Sequence, residues 1–260
     1  MLEDDFTYVL RKALAGHRLT AAELADAAGV SHDVLMDFQR GSFSTQTARR
    51  VAAVLGLNAD AYARHAGYQP QAPSLKEISR LDMPFGSEQV NAWLVSCGGQ
   101  QILIDAGHDG PGLVARLSGI TGRLPDRVFI THAHRDHTGA VGHFLDAGVP
   151  VHAAGIPGTI AIGPGDRVCA GSLVIEACDL CGHAHPALGY HIHGLSTPVL
   201  ATGDALFAGS IGGCASPQSY QLALTRLRQT LAPLPDETAL LPGHGPGTTL
   251  GQERLRNPFL

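Results

Sequence analysis

The period of the apolar positions changes partway along the chain. Up to about residue 68 they recur at helical spacing, beginning with Phe6, Val9, Leu10 and Leu14, which share one face of a helix. Thr20 stands where an N-cap belongs, with Glu23 three residues on, the pattern of a capping box. Gly29 offers a left-handed stop and Ser31 the next N-cap. His32 to Arg40 predicts a third helix ended by Gly41. Ser44 or Thr45 opens a fourth, carrying Ala48, Val51, Ala52, Val54 and Leu55, and Asn58 caps a fifth through Tyr62. From residue 74 short apolar runs alternate with helical stretches. Ala92–Val95 and Ile102–Ile104 flank Gly98-Gly99 as a hairpin. Further strands are predicted at 128–131, 150–153, 173–177, 190–193, 199–201 and 238–241, and helices at 113–117, 139–147 and 220–231. Sheet segments interleaved with helices predict sheets covered by helices on their outer faces. Pro70 and Pro73 lie among small and polar residues where the period changes. The expected division is a helical domain over 1–68, a linker over 69–73 and a second domain over 74–260.

The 260 residues, 44% of them hydrophobic, suffice for a real core. A net charge of -5 gives no general reason to expect nucleic acid or an anionic membrane as partner. No apolar stretch reaches spanning length. Met1–Asp5 is acidic and lacks the plan of a signal peptide, so cytoplasmic residence is the default expectation. Five cysteines read as free thiols. Cys178 and Cys181 form a C-x-x-C, read as a strand-end thiol and a loop thiol, with a redox or zinc role as the alternative.

The chemistry concentrates at Thr131–His137. His132, His134, Asp136 and His137 follow directly on the apolar run Val128-Phe129-Ile130. Neutral imidazole and carboxylate are ligands for zinc and other first-row divalent ions. His132 and His134, two apart on extended chain, can point the same way. One ion would use few of these groups, whereas two adjacent ions could use all four. Three later strand ends carry further donors, each beside glycine: Gly182-His183, Thr202-Gly203-Asp204 and Pro242-Gly243-His244-Gly245.

Two resemblances follow from these residues. The stretch Leu24–Ser31, running on to Leu55-Gly56-Leu57, resembles the helix-turn-helix DNA-binding domains of phage Cro and lambda repressor. That likeness implies that the helix beginning near Ser31 enters the major groove, with Arg40 as its candidate contact. Seven Lys/Arg against eight Asp/Glu up to residue 68 leave this module at -1, which offers little of the phosphate neutralisation that DNA affinity needs. A helical domain that packs on its neighbour or forms a homodimer is the other expectation.

The series H-x-H-x-D-H, G-H, T-G-D and P-G-H-G, over roughly residues 85–260, resembles the ligand series of the metallo-β-lactamase fold superfamily, nearest to the small glyoxalase II-like hydrolases. The resemblance implies an α+β fold, a four-layer αββα sandwich, here preceded by the small all-α domain. It implies two divalent ions, zinc first, with iron or manganese as alternatives. His132, His134 and His183 would hold one ion, Asp136, His137 and His244 the other, and Asp204 would bridge them. Asp105 would support the His132 loop from behind. Two divalent ions, two carboxylates and a hydroxide leave the centre at +1, an electrophile suited to an oxyanion. The expected reaction is attack by metal-bound hydroxide on a thioester, ester or lactone of a small-molecule substrate, with Asp136 orienting the hydroxide and receiving its proton. One rival is a mononuclear iron persulfide dioxygenase of the same fold, using His132, His183 and Asp204. Another, of a different class, is a DNA-binding regulator with a metal-containing sensor domain. Relatives often continue Ser-Ile-Gly with Arg, where this chain has Gly213. Typical glyoxalase II also adds a C-terminal helical lobe for glutathione, for which Gly245–Leu260 is too short.

Overall fold

In a computed structural model describing residues 1–260, the N-terminal periodicity is realised as α1 Phe6–His17, α2 Ala21–Ala28, α3 His32–Gln39, α4 Thr45–Val54 and α5 Ala59–Ala63. The predicted caps are in place. Thr20 and Glu23 close a capping box, Gly29 takes the left-handed conformation, and Ser31, Ser44 and Asn58 each accept a backbone N–H of the helix they open. Arg40 ends α3 on the surface, exposed and 3.7 Å from Asp37.

The remainder is built on two six-stranded sheets. The first, in order, is β1 Ile78–Phe85, β2 Glu88–Cys97, β3 Gln100–Ile104, β4 Arg127–Phe129, β5 Val151–Ala153 and β6 Ile160–Ala161. The second contains β7 Arg167–Ala170, β8 Leu173–Asp179, β9 Leu188–His193, β10 Val199–Gly203, β11 Ala239–Pro242 and β12 Thr248–Thr249. Between the strands run α6 Gly110–Thr121, α7 Arg135–Thr138, α8 Val141–Asp146 and α9 Pro217–Leu231, and α10 Leu250–Arg256 follows β12.

Alternation along the strands sorts the apolar side chains into layers. Trp93, Val95, Ile102, Ile104 and Phe129 of the first sheet meet Ile175, Tyr190, Ile192, Val199 and Leu241 of the second. Their neighbours Ala92, Leu94, Leu103 and Val128 face the other way, onto Leu113 and Leu117 of α6 and Phe144 of α8. Leu200 and Leu240, on the outer face of the second sheet, join α9 and α10. These are the four layers α, β, β, α of a mixed α+β fold. Strands buried on both faces read as continuous apolar runs, which is why they were visible in the sequence. The cluster around Leu200 and Leu240 also takes in Phe6, Val9, Leu10, Leu35 and Tyr62 of the helical module. Tyr220 of α9 packs edge-on against His17 of α1, with ring centres 5.7 Å apart.

To the expected elements the structure adds β1, β6, β7, β12, α7 and α10. β1 was not anticipated: it is an edge strand whose Ser79, Arg80 and Pro84 face out, and edge strands tolerate charge and proline. The helix expected over 139–147 is α8, which begins at Val141; the helical turn α7 before it was not anticipated, and a break at Gly139-Ala140 separates the two. At the break Gly139 lies so close to the β3–α6 turn that a Cβ would sit 2.1 Å from the His108 carbonyl oxygen. The Gly139 N–H donates to Gly107 O at 2.6 Å and that of Ala140 to Ala106 O at 3.0 Å. This ties the helical turn carrying Asp136 and His137 to the end of β3.

Candidate metal centre

Every sequence-predicted ligand lies just beyond the C-terminal end of a strand. His132 to His137 follow β4, His183 follows β8, Asp204 follows β10 and His244 follows β11. β8, β10 and β11 run in the same direction, so their ends meet at one edge of the second sheet. Ligands in open sheets gather at such ends because the loops there are free of ladder hydrogen bonds. All seven side chains come together in two adjacent groups. The donor atoms of His132, His134, His183 and Asp204 lie within 4.8 Å of one another, as do those of Asp136, His137 and His244. Asp204 touches both groups. Its Oδ2 is 3.5 Å from His183 Nε2 and 3.6 Å from His244 Nε2, and its Oδ1 is 3.3 Å from His137 Nε2.

The outer face of each ring shows what the inner face is for. His137 Nδ1 donates to Asp105 Oδ2 at 2.9 Å, His183 Nδ1 to Gly213 O at 2.6 Å and His244 Nδ1 to Gln89 O at 2.8 Å. His132 Nδ1 donates to Thr131 Oγ1 at 3.0 Å, and that hydroxyl donates in turn to Asp105. With Nδ1–H occupied in four rings, their four Nε2 atoms are turned inward. His134 presents Nδ1 instead, 3.0 Å from His132 Nε2 and 3.1 Å from His183 Nε2. Lone pairs this close, facing one another, call for a cation between them. His137 Nε2 and Asp204 Oδ1 are buried without a hydrogen-bond partner, and such groups are costly unless a ligand completes them. The backbone makes room for that: a Cβ on Gly243 would lie 2.1 Å from Asp204 Oδ1 and 2.7 Å from His137 Cε1. The donor set therefore fits two divalent cations.

Asp105 holds the arrangement from behind. It accepts the Thr131 N–H at 2.8 Å as well as His137 Nδ1, and it does so from φ 62°. Aspartate is among the few non-glycine residues that visit this left-handed region, and such strain tends to sit at functional positions.

Burial pushes the His132 imidazole down to about 3, with the neighbouring His137 adding to the effect. Burial likewise lowers His183. For His137 burial opposes charge, but the carboxylates of Asp204 and Asp105 outweigh it and hold the ring well above the usual range. At His244 burial is again overcome, by the hydrogen bond to Asp136 and the charge of Asp204, and the value rises to about 9. Burial would raise Asp204, yet His137, His244 and His132 hold it far below an ordinary carboxylate. Asp136 is lowered as well, its partial burial outweighed by the bond from His244 and the charge of His137. In the metal-free chain protons supply the positive charge that these carboxylates demand.

Several supporting groups had no sequence signal. Gly213 O and Gln89 O are backbone carbonyls, which any residue would provide. Thr131 lay within the motif, but its hydroxyl relay between His132 and Asp105 depends on the turn after β4. His185, read as an exposed loop residue, is exposed, with Nδ1 3.3 Å from Cys181 Sγ. Tyr190, read as packing, is buried and donates to Ile130 O at 2.7 Å. All five cysteines are free.

Comparison with known proteins agrees with this geometry. The family model described as the metallo-beta-lactamase superfamily matches residues 86–174. The hydroxyacylglutathione hydrolase GloC of Haemophilus influenzae is 30% identical over 185 residues, covering 61% of this chain and 86% of GloC. Among solved structures, the BLEG-1 B3 metallo-beta-lactamase aligns at a TM-score of 0.60 and 26% identity, over 70% of this chain and 99% of that one. TTHA1623, solved in a di-iron-bound form, aligns at 0.56 and 33% identity, over 69% of this chain and 100% of that one. Identity of this order across most of a relative's length reflects common descent as well as shared architecture, and the chain belongs to the metallo-beta-lactamase superfamily.

Proposed function

We propose that the chain is a metal-dependent hydrolase that opens a thioester, ester or lactone, with zinc as its first-choice ion. The observation that carries this reading is the ring of inward-facing imidazole nitrogens closed by Asp204. The likeness to a relative named as a hydroxyacylglutathione hydrolase supports a thioester. Divalent cations held there would lower the pKa of water and polarise a carbonyl oxygen, which brings acyl cleavage within reach of neutral pH.

The chain's own groups then have separable tasks. Asp204, reaching both groups, keeps them in register. Asp136, ionised at neutral pH and 3.2 Å from His244 Nε2, receives the proton released on attack. His134 is exposed and His183 partly so, which makes their side of the centre the approach for the acyl group. Asp105 and the Gly213, Gln89 and Thr131 acceptors keep the rings in one tautomer. We propose no DNA contact for Arg40. It lies 3.7 Å from Asp37, and Asp33 is exposed on the same helix, while Arg49 pairs with Asp60 and Arg50 donates to Gly29 O.

The test is elemental analysis of protein purified without added metal, together with a panel of thioesters and lactones. About two zinc ions per chain, with turnover lost in His132→Ala and Asp204→Asn, is the expected result. About one iron per chain with oxygen uptake on a persulfide would replace this reading with the oxygenase.

A further inference from the structure

We propose that the helical module of residues 1–68 is a positioning element of the metal centre. In this role Asp4, Lys12 and His65 set the loop from Asp204 to Gly213, and through it the orientation of Asp204 and His183. The proposal rests on the metal-binding reading of the site and is independent of which bond is hydrolysed.

The loop begins at one candidate ligand and ends at the support of another. Asp204 opens it, and the carbonyl of Gly213 takes the His183 Nδ1–H. Gly212 lies against both, since a Cβ there would be 2.0 Å from Asp204 O and 2.8 Å from His183 Nδ1. Any displacement of residues 209–213 must therefore move the His183 ring or the Asp204 backbone. Within the loop the hydrogen bonds are few: Phe207 and Ser210 pair their backbones, and Ala205 N–H reaches back to Thr202 O. The outward-facing polar groups find partners elsewhere, and three of these partners belong to the module. Lys12 Nζ donates to Ile211 O at 2.7 Å. Ser210 Oγ donates to Asp4 Oδ2 at 2.5 Å, and Asp4 is also the ion-pair partner of Lys12. His65 Nε2 donates to Gly209 O at 2.9 Å. From the C-terminal side Glu253 of α10 accepts Gly209 N–H at 2.8 Å, and Asn257 Nδ2 donates to Phe207 O at 3.2 Å and Ser210 O at 3.0 Å.

These contacts are buried: Asp4 is 4% exposed, and Ser210 and His65 are 0% exposed. A carbonyl buried without a donor carries a desolvation penalty that a surface loop would avoid by meeting water. Ile211 O and Gly209 O take these donors from the module, so this loop conformation depends on the helices at the other end of the chain. Lys12 also lies 5.1 Å from the centre of the Phe207 ring, which packs 5.8 Å from His244. Glu3 Oε1 comes within 3.9 Å of His244 Nδ1. The module thus borders the second group of ligands too. Groups one step removed from a metal commonly alter its affinity 10- to 100-fold.

A merely structural docking contact would lower stability and leave the metal site alone, and cobalt separates the two. The metal-free full-length chain is titrated with Co2+ against a competing chelator while the visible d–d spectrum is recorded. Lys12→Met keeps the aliphatic stem and removes the donor to Ile211 O. The double variant Asp4→Asn/Lys12→Met removes, in addition, the carboxylate left buried without its partner. Both are expected to bind cobalt about 10- to 100-fold more weakly, with an altered spectrum. Leu117→Ala, in the core between the first sheet and α6, is expected to lower the melting temperature with cobalt affinity and spectrum unchanged. If Lys12→Met or the double variant does not melt cooperatively, His65→Phe carries the same test, because it removes only the bond to Gly209 O. Cobalt affinity and spectrum equal to those of the unmodified chain in the variants that fold overturn the proposal. An unmodified chain that binds no cobalt overturns the metal-centre reading itself, and this proposal with it.

Discussion

The two groups of ligands sit side by side, with the His132 and His137 rings 4.3 Å apart, yet they treat protons in opposite ways. His132 and His183 are pushed down and remain neutral, whereas His137 and His244 are pushed up. Burial works in the same direction at all four, so the carboxylates make the difference. His137 lies between Asp105 and Asp204, and His244 meets Asp136 and Asp204. His132 faces three other imidazoles, with Asp204 Oδ2 at 3.9 Å. One residue type thus makes two kinds of site. The His132 group is ready for a cation, and the His137 group must release protons to accept one.

The largest expected effect removes what the groups share. Asp204→Asn takes away the carboxylate that reaches both, and metal analysis should show both ions lost along with activity. Retention of a full complement of metal would refute the bridging role. Next, Asp105→Asn weakens the support of His137 and Thr131. Chelator competition should show a 10- to 100-fold loss of affinity, of the order seen for groups behind metal ligands, and a larger one at the His137 group than at the His132 group. Gly243→Ala is expected to act in a similar range by steric means. Its Cβ would press on Asp204 Oδ1 and His137, costing about 1–3 kcal/mol of stability as overpacking does, read as a fall in denaturation midpoint.

The pH response sharpens the contrast with smaller shifts. His132, at about 3 in the fold against 6.5 ordinarily, makes the metal-free chain lose stability as pH falls below 6.5. His244, raised from 6.5 to about 9, contributes stability that is fully present below 6.5 and is lost as pH rises through 9. Urea midpoints measured in chelator should therefore fall on both sides of near-neutral pH. With metal bound, the alkaline fall should disappear, because the cation replaces the proton on His244. A metal-free chain whose midpoint keeps rising through pH 9 would contradict the contrast. The smallest effect is expected at His185→Ala: its ring contacts Cys181 and no member of either ligand group, so metal content should be unchanged.

Local interactions were legible because their partners lie a few residues apart. The box of Thr20 and Glu23, the left-handed Gly29 and the N-cap Asn58 are written in adjacent letters. So is the density of donors from His132 to His137. The edge strand β1 was missed because only Leu81 and Met83 of its residues are buried, which blurs the apolar pattern. The helical turn α7 was not legible as an element separate from α8, because the contact that divides them at Gly139 is with His108, some thirty residues earlier along the chain.

Residue types and short-range spacing by themselves determined the five N-terminal helices, the strands that carry the ligands and which side chains can bind a cation. Only the tertiary structure decided that four imidazoles turn Nε2 inward, since their orientation depends on the carbonyls of Gly213 and Gln89 and on a strained Asp105. It alone joined Lys12 to Ile211, 199 positions away. The physical reason is the same in each case. A hydrogen bond to a backbone carbonyl depends on where that carbonyl is, and its position is set by packing over the whole chain.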